Sequence, residues 1–139
     1  MSSEDLISIV DDDESVRDST RTLLRSVGHK VATFASAAEL LLNATALKQT
    51  KCLILDVRMP GIDGLELQRR LNAAHSRIPV IFVTAHDDEI RRQQAIAGGA
   101  VDFLRKPFDP SALLAAVQAA LSGRRIIGPR ALSRGNGRC

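Results

Sequence analysis

Tryptophan and tyrosine are missing from this chain of 139 residues, and aromatic side chains make up only 3% of it. Without rings to stack on, single-stranded nucleic acid has no platform here. The core must then be assembled from Leu, Ile, Val and Ala. Cysteine is scarce too. Cys52 lies inside an apolar run and reads as a buried reduced thiol, Cys139 is the last residue, and two such positions make no disulfide framework. No apolar run reaches membrane-spanning length, and the opening MSSEDL carries acids where a secretory leader needs basic residues. These absences point to a cytoplasmic protein with no membrane partner. Acids are missing from one region only, the last 17 residues, which hold Arg124, Arg125, Arg130, Arg134 and Arg138. The net charge of +3 therefore misleads, because the preceding 122 residues hold 14 basic against 16 acidic side chains. The basic tail has four glycines and no sustained apolar period, so it reads as a linker or disordered end, 123–139, after a folded unit, 1–122.

What is present is an ordinary soluble balance, 45% hydrophobic and 25% charged, in a length that suits one domain with a real core. Five short apolar runs stand out, at 6–10, 30–34, 52–55, 78–83 and 101–104. Most lack strict alternation, as strands covered on both faces do. Helical spacing fills the gaps. Val16, Thr20, Leu23, Leu24 and Val27 mark a first face, Leu40, Leu41, Ala44 and Leu47 a second, and Leu67, Leu71 and Ala74 a third. Stretch 88–97 has the poorest apolar face, only Ile90 and Ile96/Ala97 beside RRQQ. Stretch 110–121 starts with a capping Asp109 and Pro110 and is apolar almost all round. Strand and helix alternating five times predict right-handed crossovers, a parallel sheet and helices on both faces, an α/β doubly wound domain.

The polar residues fall at the strand ends. The first strand runs into Asp11, Asp12 and Asp13, the third into Asp56, the fourth into Thr84 and the fifth into Lys106. The second, ending FAS, delivers only Ser36, as an edge strand would. Each position has an ordinary explanation alone: acids cap helices, threonine turns a chain, lysine before proline sits in solvent. Together they matter, because ligands of open α/β sheets bind beyond the carboxyl ends of the strands. Three carboxylates at close quarters resist joint ionisation. A hard divalent cation such as Mg²⁺ resolves this, taking one or two carboxylates and favouring a phosphate as co-ligand. Carboxylate, cation, ammonium and hydroxyl are the parts that stabilise a phosphoryl group in transfer. A carboxylate can itself accept that group, and Asp56, alone at a central strand's tip, is the best placed.

The motifs IVDDDESVR, LILDVRMPGIDGLEL, PVIFVTA and GGAVDFLRKPF, in this order, resemble the receiver domain of two-component response regulators over about residues 5–122. The FixJ/NarL-type receivers are the most similar. The resemblance implies a flavodoxin/CheY-like (βα)5 fold with strand order 2-1-3-4-5. It implies Asp56 as phosphoacceptor, and Asp11 and Asp12 with the backbone carbonyl of Arg58 as ligands of Mg²⁺ or Mn²⁺. Thr84 and Lys106 match the groups that contact the phosphoryl oxygens, the Lys106–Pro107 bond is expected cis, and Phe103 matches the aromatic that swings inward when the threonine moves. Asp13 reads as a solvated residue or helix cap. The side chains of Arg58 and His86 flank the site, and either tune water access or simply face solvent. His29 and His75 sit at helix ends and need no function.

A sensor histidine kinase is the implied phosphodonor, with a homodimer through helix 88–97 and strand 101–105 as output. The apolar surplus of 110–121 is expected to add to that contact. Control of transcription would need a DNA-binding output domain that this chain does not hold; the alternative is a stand-alone receiver. A rival reading is a haloacid-dehalogenase-like phosphatase with Asp11 as nucleophile and Asp13 as acid/base, although Ser15 fits that motif weakly. A flavodoxin-like mononucleotide binder ranks lower, for want of a Gly-rich phosphate loop.

Overall fold

The computed structural model describes residues 5–86 and 88–126. Five strands alternate with six helices among them: β1 Leu6–Val10, α1 Glu14–Ser26, β2 Lys30–Phe34, α2 Ala37–Leu41, α3 Ala44–Gln49, β3 Thr50–Asp56, α4 Gly64–Ala73, β4 Val80–Thr84, α5 Glu89–Ala97, β5 Asp102–Arg105 and α6 Pro110–Leu121. All strand pairs are parallel, and the order β2-β1-β3-β4-β5 is the one expected. Chain order reverses between β1 and β3, where such sheets open a crevice at their carboxyl ends.

The missing alternation in the strand sequences has a simple cause. Cys52 and Ile54 of β3 join Ile7, Ile9, Ile81 and Val83 in a core under α1 and α6, while Leu53 and Leu55 join Val10 and Phe82 in a second core under α2 to α5. Both faces being dry, nearly every strand position is apolar. Ser8 and Thr50 are buried polar exceptions that satisfy each other: the Ser8 hydroxyl bonds that of Thr50 at 2.7 Å, and Thr50 in turn donates to Ala46 O at 2.6 Å. The Cys52 thiol is fully buried and free, its pKa pushed up to about 12 by desolvation, which leaves it an inert core group.

Side chains of short polar residues start all six helices. Asp13, Ser36, Asn43, Asp63, Asp88 and Asp109 each accept a backbone N–H of the first turn. Asn43 explains one departure from the expected pattern. By accepting Ala46 N it begins a new helix inside the second apolar stretch, which splits into α2 and α3 with Leu42 left 87% exposed between them. Asp63 likewise starts α4 at Gly64, earlier than its apolar period suggests.

Two further expectations are corrected. Ile90 does not belong to the inner face of α5, which buries Ala95 and Ile96, and it is 73% exposed. The surplus of α6 is used inside the molecule: Leu113, Ala116, Val117, Ala119 and Ala120 are buried, and Leu114 and Leu121 pack against the same core, so little apolar surface remains for a dimer. After α6 the chain turns back: Arg125 donates to Ile96 O and Ala100 O, and Ile126 N to Val101 O. The rest of the expected tail, 127–139, with Cys139, lies outside the described residues.

Candidate functional site

β1, β3, β4 and β5 all end at one edge of the sheet, and each carries its polar residue there. Asp11 follows β1 and is buried. Its backbone N–H is anchored to Phe34 O at 3.1 Å, Oδ1 accepts Asp13 N at 2.9 Å, and Oδ2 accepts Lys106 Nζ at 2.8 Å. Asp56 ends β3, 6% exposed, between β1 and β4. Its Oδ1 accepts Arg58 N at 3.3 Å and its Oδ2 faces Lys106 Nζ at 3.4 Å. Asp12 is exposed at the mouth. Carboxylate oxygens of Asp11, Asp12 and Asp56 lie within 4.8 Å of one another.

Charge in this cluster is costly. Burial, then the charge of Asp11, pushes the Asp56 carboxyl up to about 6, and Lys106 and Arg58 N only partly oppose this. Burial pulls the Lys106 ammonium down, but Asp11 and Asp56 outweigh it and hold its pKa above the usual lysine value. Two buried carboxylates and a third at the mouth, with one ammonium between them, are short of positive charge. Their donors are all hard oxygens, which fits a small divalent cation entering from the Asp12 side.

Thr84 ends β4, buried, beside Arg105 of β5, and its hydroxyl accepts His86 N at 3.1 Å. Its carbonyl receives Lys106 N at 2.7 Å, so the backbones that carry the hydroxyl and the ammonium are joined directly. The Lys106–Pro107 bond is cis, as the resemblance implies. Phe103 is half-buried, its ring centroid 6.1 Å from that of Phe82 in a tilted arrangement. The loop after Asp56 is tight, and a methyl group at Gly64 would collide with the Asp56 carbonyl oxygen. Glycine there lets α4 start directly behind the carboxylate.

The remaining predicted residues fall around this centre. Asp13 caps α1, accepting Ser15 N and Val16 N, which turns its carboxylate away from the cluster. The His86 side chain is exposed. The Arg58 side chain does not lie free: Nη2 reaches Asp88 Oδ2 at 3.3 Å. Asp88 had no sequence signal beyond an acid ahead of a helix. Its carboxyl is held down to about 2, by Arg91 above all and also by Arg58. Arg17, which donates to Asp11 O at 2.6 Å, is another group with no signal, being one arginine among many.

The profile of the family described as "Response regulator receiver domain" matches residues 7–118, a span that holds every residue of this site. The chain is a response regulator receiver domain. It is 47% identical over 119 residues to "Nodulation protein W" of Bradyrhizobium diazoefficiens, covering 86% of this chain and 52% of that protein. To "Transcriptional regulatory protein FixJ" of Azorhizobium caulinodans it is 45% identical over 115 residues, covering 83% and 54%. The chain thus spans about half the length of these curated relatives. Among solved structures, the crystal structure of FixJ-N matches with a TM-score of 0.78 at 34% identity, covering 88% of this chain and 97% of that one. The response regulator StyR matches at 0.80 and 42%, covering 95% and 65%. A receiver domain is a regulatory part of two-component signalling, and among the described residues no helix is long and apolar enough to cross a membrane.

Proposed function

We propose that this receiver domain takes a phosphoryl group onto Asp56 from a phosphohistidine of a sensor histidine kinase. The observation that carries this is the meeting of Asp11, Asp12 and Asp56 within 4.8 Å around the Lys106 ammonium. A carboxylate oxygen of Asp56 attacks phosphorus, the P–N bond breaks, and the electron pair leaves with the imidazole, which takes up a proton. Asp11, Asp12, Asp56 and the carbonyl of Arg58 would hold Mg²⁺ or Mn²⁺, whose charge would counter that of the phosphoryl oxygens. Lys106 exchanges Asp11 for a phosphoryl oxygen. Asp56 must be ionised to attack, and its raised pKa makes the metal-free nucleophile weakest below about pH 6.

The Thr84 hydroxyl accepts from His86 and keeps its own proton free to donate to the phosphoryl group. As it moves inward, the loop to α5 follows, and Phe103 turns into the space beside Phe82. The altered face is α5 with β5, and exposed Ile90 gives it an apolar contact for a homodimer. An apolar groove of about 500 Å³, lined by Val16, Thr20, Leu23, Pro107 and Phe108, opens beside Lys106 and suits docking of the kinase. We read the domain as regulatory rather than enzymatic, acting in the cytoplasm, with a folded unit that passes the expected boundary at 122 to take in Arg125 and Ile126 and is joined to a transcriptional output domain, as the names of the relatives suggest.

Acetyl phosphate with Mg²⁺ should label the wild type at one group per chain and leave Asp56→Asn unlabelled. Equal labelling of Asp56→Asn would remove this residue from the role. Thr84→Ala should still be labelled but dimerise less, and an unchanged dimer constant would sink the switch.

A further inference from the structure

Arg58 and Asp88 meet at a point that the phosphoryl chemistry leaves unused. Asp88 closes the start of α5 with one oxygen, Oδ1, which accepts Arg91 N at 3.1 Å. Its other oxygen receives two guanidinium groups, Arg91 Nη1 at 2.6 Å and Arg58 Nη2 at 3.3 Å. Arg91 belongs to α5 itself. Arg58 comes from the loop that follows β3, two residues beyond Asp56, and its backbone N–H is bonded to Asp56 Oδ1. The exposed pairs Arg21–Asp18, Arg69–Glu66 and Arg70–Glu66 each stay within one helix, whereas Arg58–Asp88 joins the loop after Asp56 to the start of α5.

We propose that Asp88 is a positioning residue that latches Arg58 to the start of α5, and that a phosphoryl group on Asp56 opens the latch by taking the arginine. This rests on the reading of Asp56 as phosphoacceptor. Arg58 touches Asp88 through one donor, Nη2, so a stronger acceptor can draw the guanidinium away. A phosphoryl group two residues away carries close to two negative charges and three acceptor oxygens, so it outcompetes a single carboxylate that Arg91 already occupies. Arg58 is half-exposed and borders an open groove of about 330 Å³ with Met59, Pro60, Asp63 and Arg91, which leaves it room to turn. Arg91 then keeps Asp88 as its cap while the tie to the β3–α4 loop is gone. The start of α5 is freed at the same moment that Thr84 draws the preceding loop inward, so both ends of that loop answer to one chemical event.

Asp88→Asn tests this, because asparagine keeps the capping oxygen and removes the charge. The readout is amide hydrogen exchange of the first turns of α5, with and without acetyl phosphate and Mg²⁺. In the unphosphorylated protein Asp88→Asn and Arg58→Ala should each speed that exchange about twofold to fivefold, the range of one partly exposed ion pair. The double variant should be no faster than Asp88→Asn alone, which also loses the Arg91 pair, and acetyl phosphate should bring the wild type to the rate of Arg58→Ala. Normal labelling with additive effects, or with wild-type exchange in Asp88→Asn, would overturn the latch alone. Failure of acetyl phosphate to label the wild type would overturn the reading of Asp56, and this proposal with it.

Discussion

Helices α5 and α6 flank β5 on opposite faces of the sheet, and they are held by different forces. α6 buries Leu113 and Val117 with three alanines, and full burial of one such branched side chain is worth about 1.5–3 kcal/mol. α5 buries only Ala95 and Ile96. What fixes it instead is a set of polar ties: Gln68 Nε2 to Ala95 O at 3.1 Å, Asn72 Nδ2 to Gly98 O at 3.1 Å, Arg125 Nη2 to Ile96 O at 3.0 Å and Arg58 Nη2 to Asp88 Oδ2 at 3.3 Å. Apolar burial is non-directional and is lost only when a helix leaves its seat. Hydrogen bonds and ion pairs are directional and each contributes little net, so they can be exchanged singly. On the proposed switch, the helix that moves has the second kind of attachment, and the helix that stays has the first.

The comparison can be broken at its strongest point. Leu113→Ala should cost about 2–5 kcal/mol in urea unfolding, while Ile90→Ala on α5 should stay within about 0.5 kcal/mol. A loss at Ile90 as large as that at Leu113 would mean that α5 is seated by apolar contact after all. Next comes Gln68→Ala, which deletes a buried tie between α4 and α5. It should cost about 1–3 kcal/mol and speed hydrogen exchange in α5 far more than in α6. Equal acceleration in both helices would erase the distinction.

The acidic site at the carboxyl edge of the sheet is predicted to lower stability rather than raise it. The folded pKa of Asp56, about 6, lies above the ordinary 3.8, so the folded state binds more protons across that window. Stability therefore falls as pH rises from about 3.8 to 6, and below that window Asp56 contributes no difference. Asp56→Asn should raise the metal-free melting temperature at pH 7, by a stability gain on the order of 1 kcal/mol after allowance for relaxation. No gain at pH 7 relative to pH 3.5 would place the strain elsewhere. The smallest loss among the polar ties is Arg125→Ala. It should cost about 0.5–1 kcal/mol and loosen the last turn of α5 without touching α6, as read by exchange at Gly98 and Gly99.

Much of this was legible beforehand for identifiable reasons. An apolar run closed by a polar residue marks a strand that reaches an edge, so Asp11, Asp12, Asp56, Thr84 and Lys106 could be assigned to one crevice before any coordinates. Asp13 and Asp109 were readable as caps because capping is local, needing only a few consecutive residues. The face of α5 was not readable. With two isoleucines six positions apart, about 120° around a helix, the pattern has no phase, and Ile90 fell on the wrong side. The break between α2 and α3 escaped for a similar reason: Asn43 sits inside an acceptable apolar period, and only its bond to Ala46 N reveals a new start.

Sequence alone determined the alternation of strand and helix and the polar edge, because both follow from local patterns; the strand order and the expected phosphoacceptor site came from the resemblance to the receiver family. Tertiary structure alone decided that the apolar surplus of α6 is spent inward, that Lys106 rests on Asp11 more closely than on Asp56, and that Arg58 is held by Asp88. Those are pairings between residues 30 or more positions apart, 95 in the case of Lys106 and Asp11. Charge and spacing along a chain do not say which of several acids a given cation will meet; the distances between folded elements do.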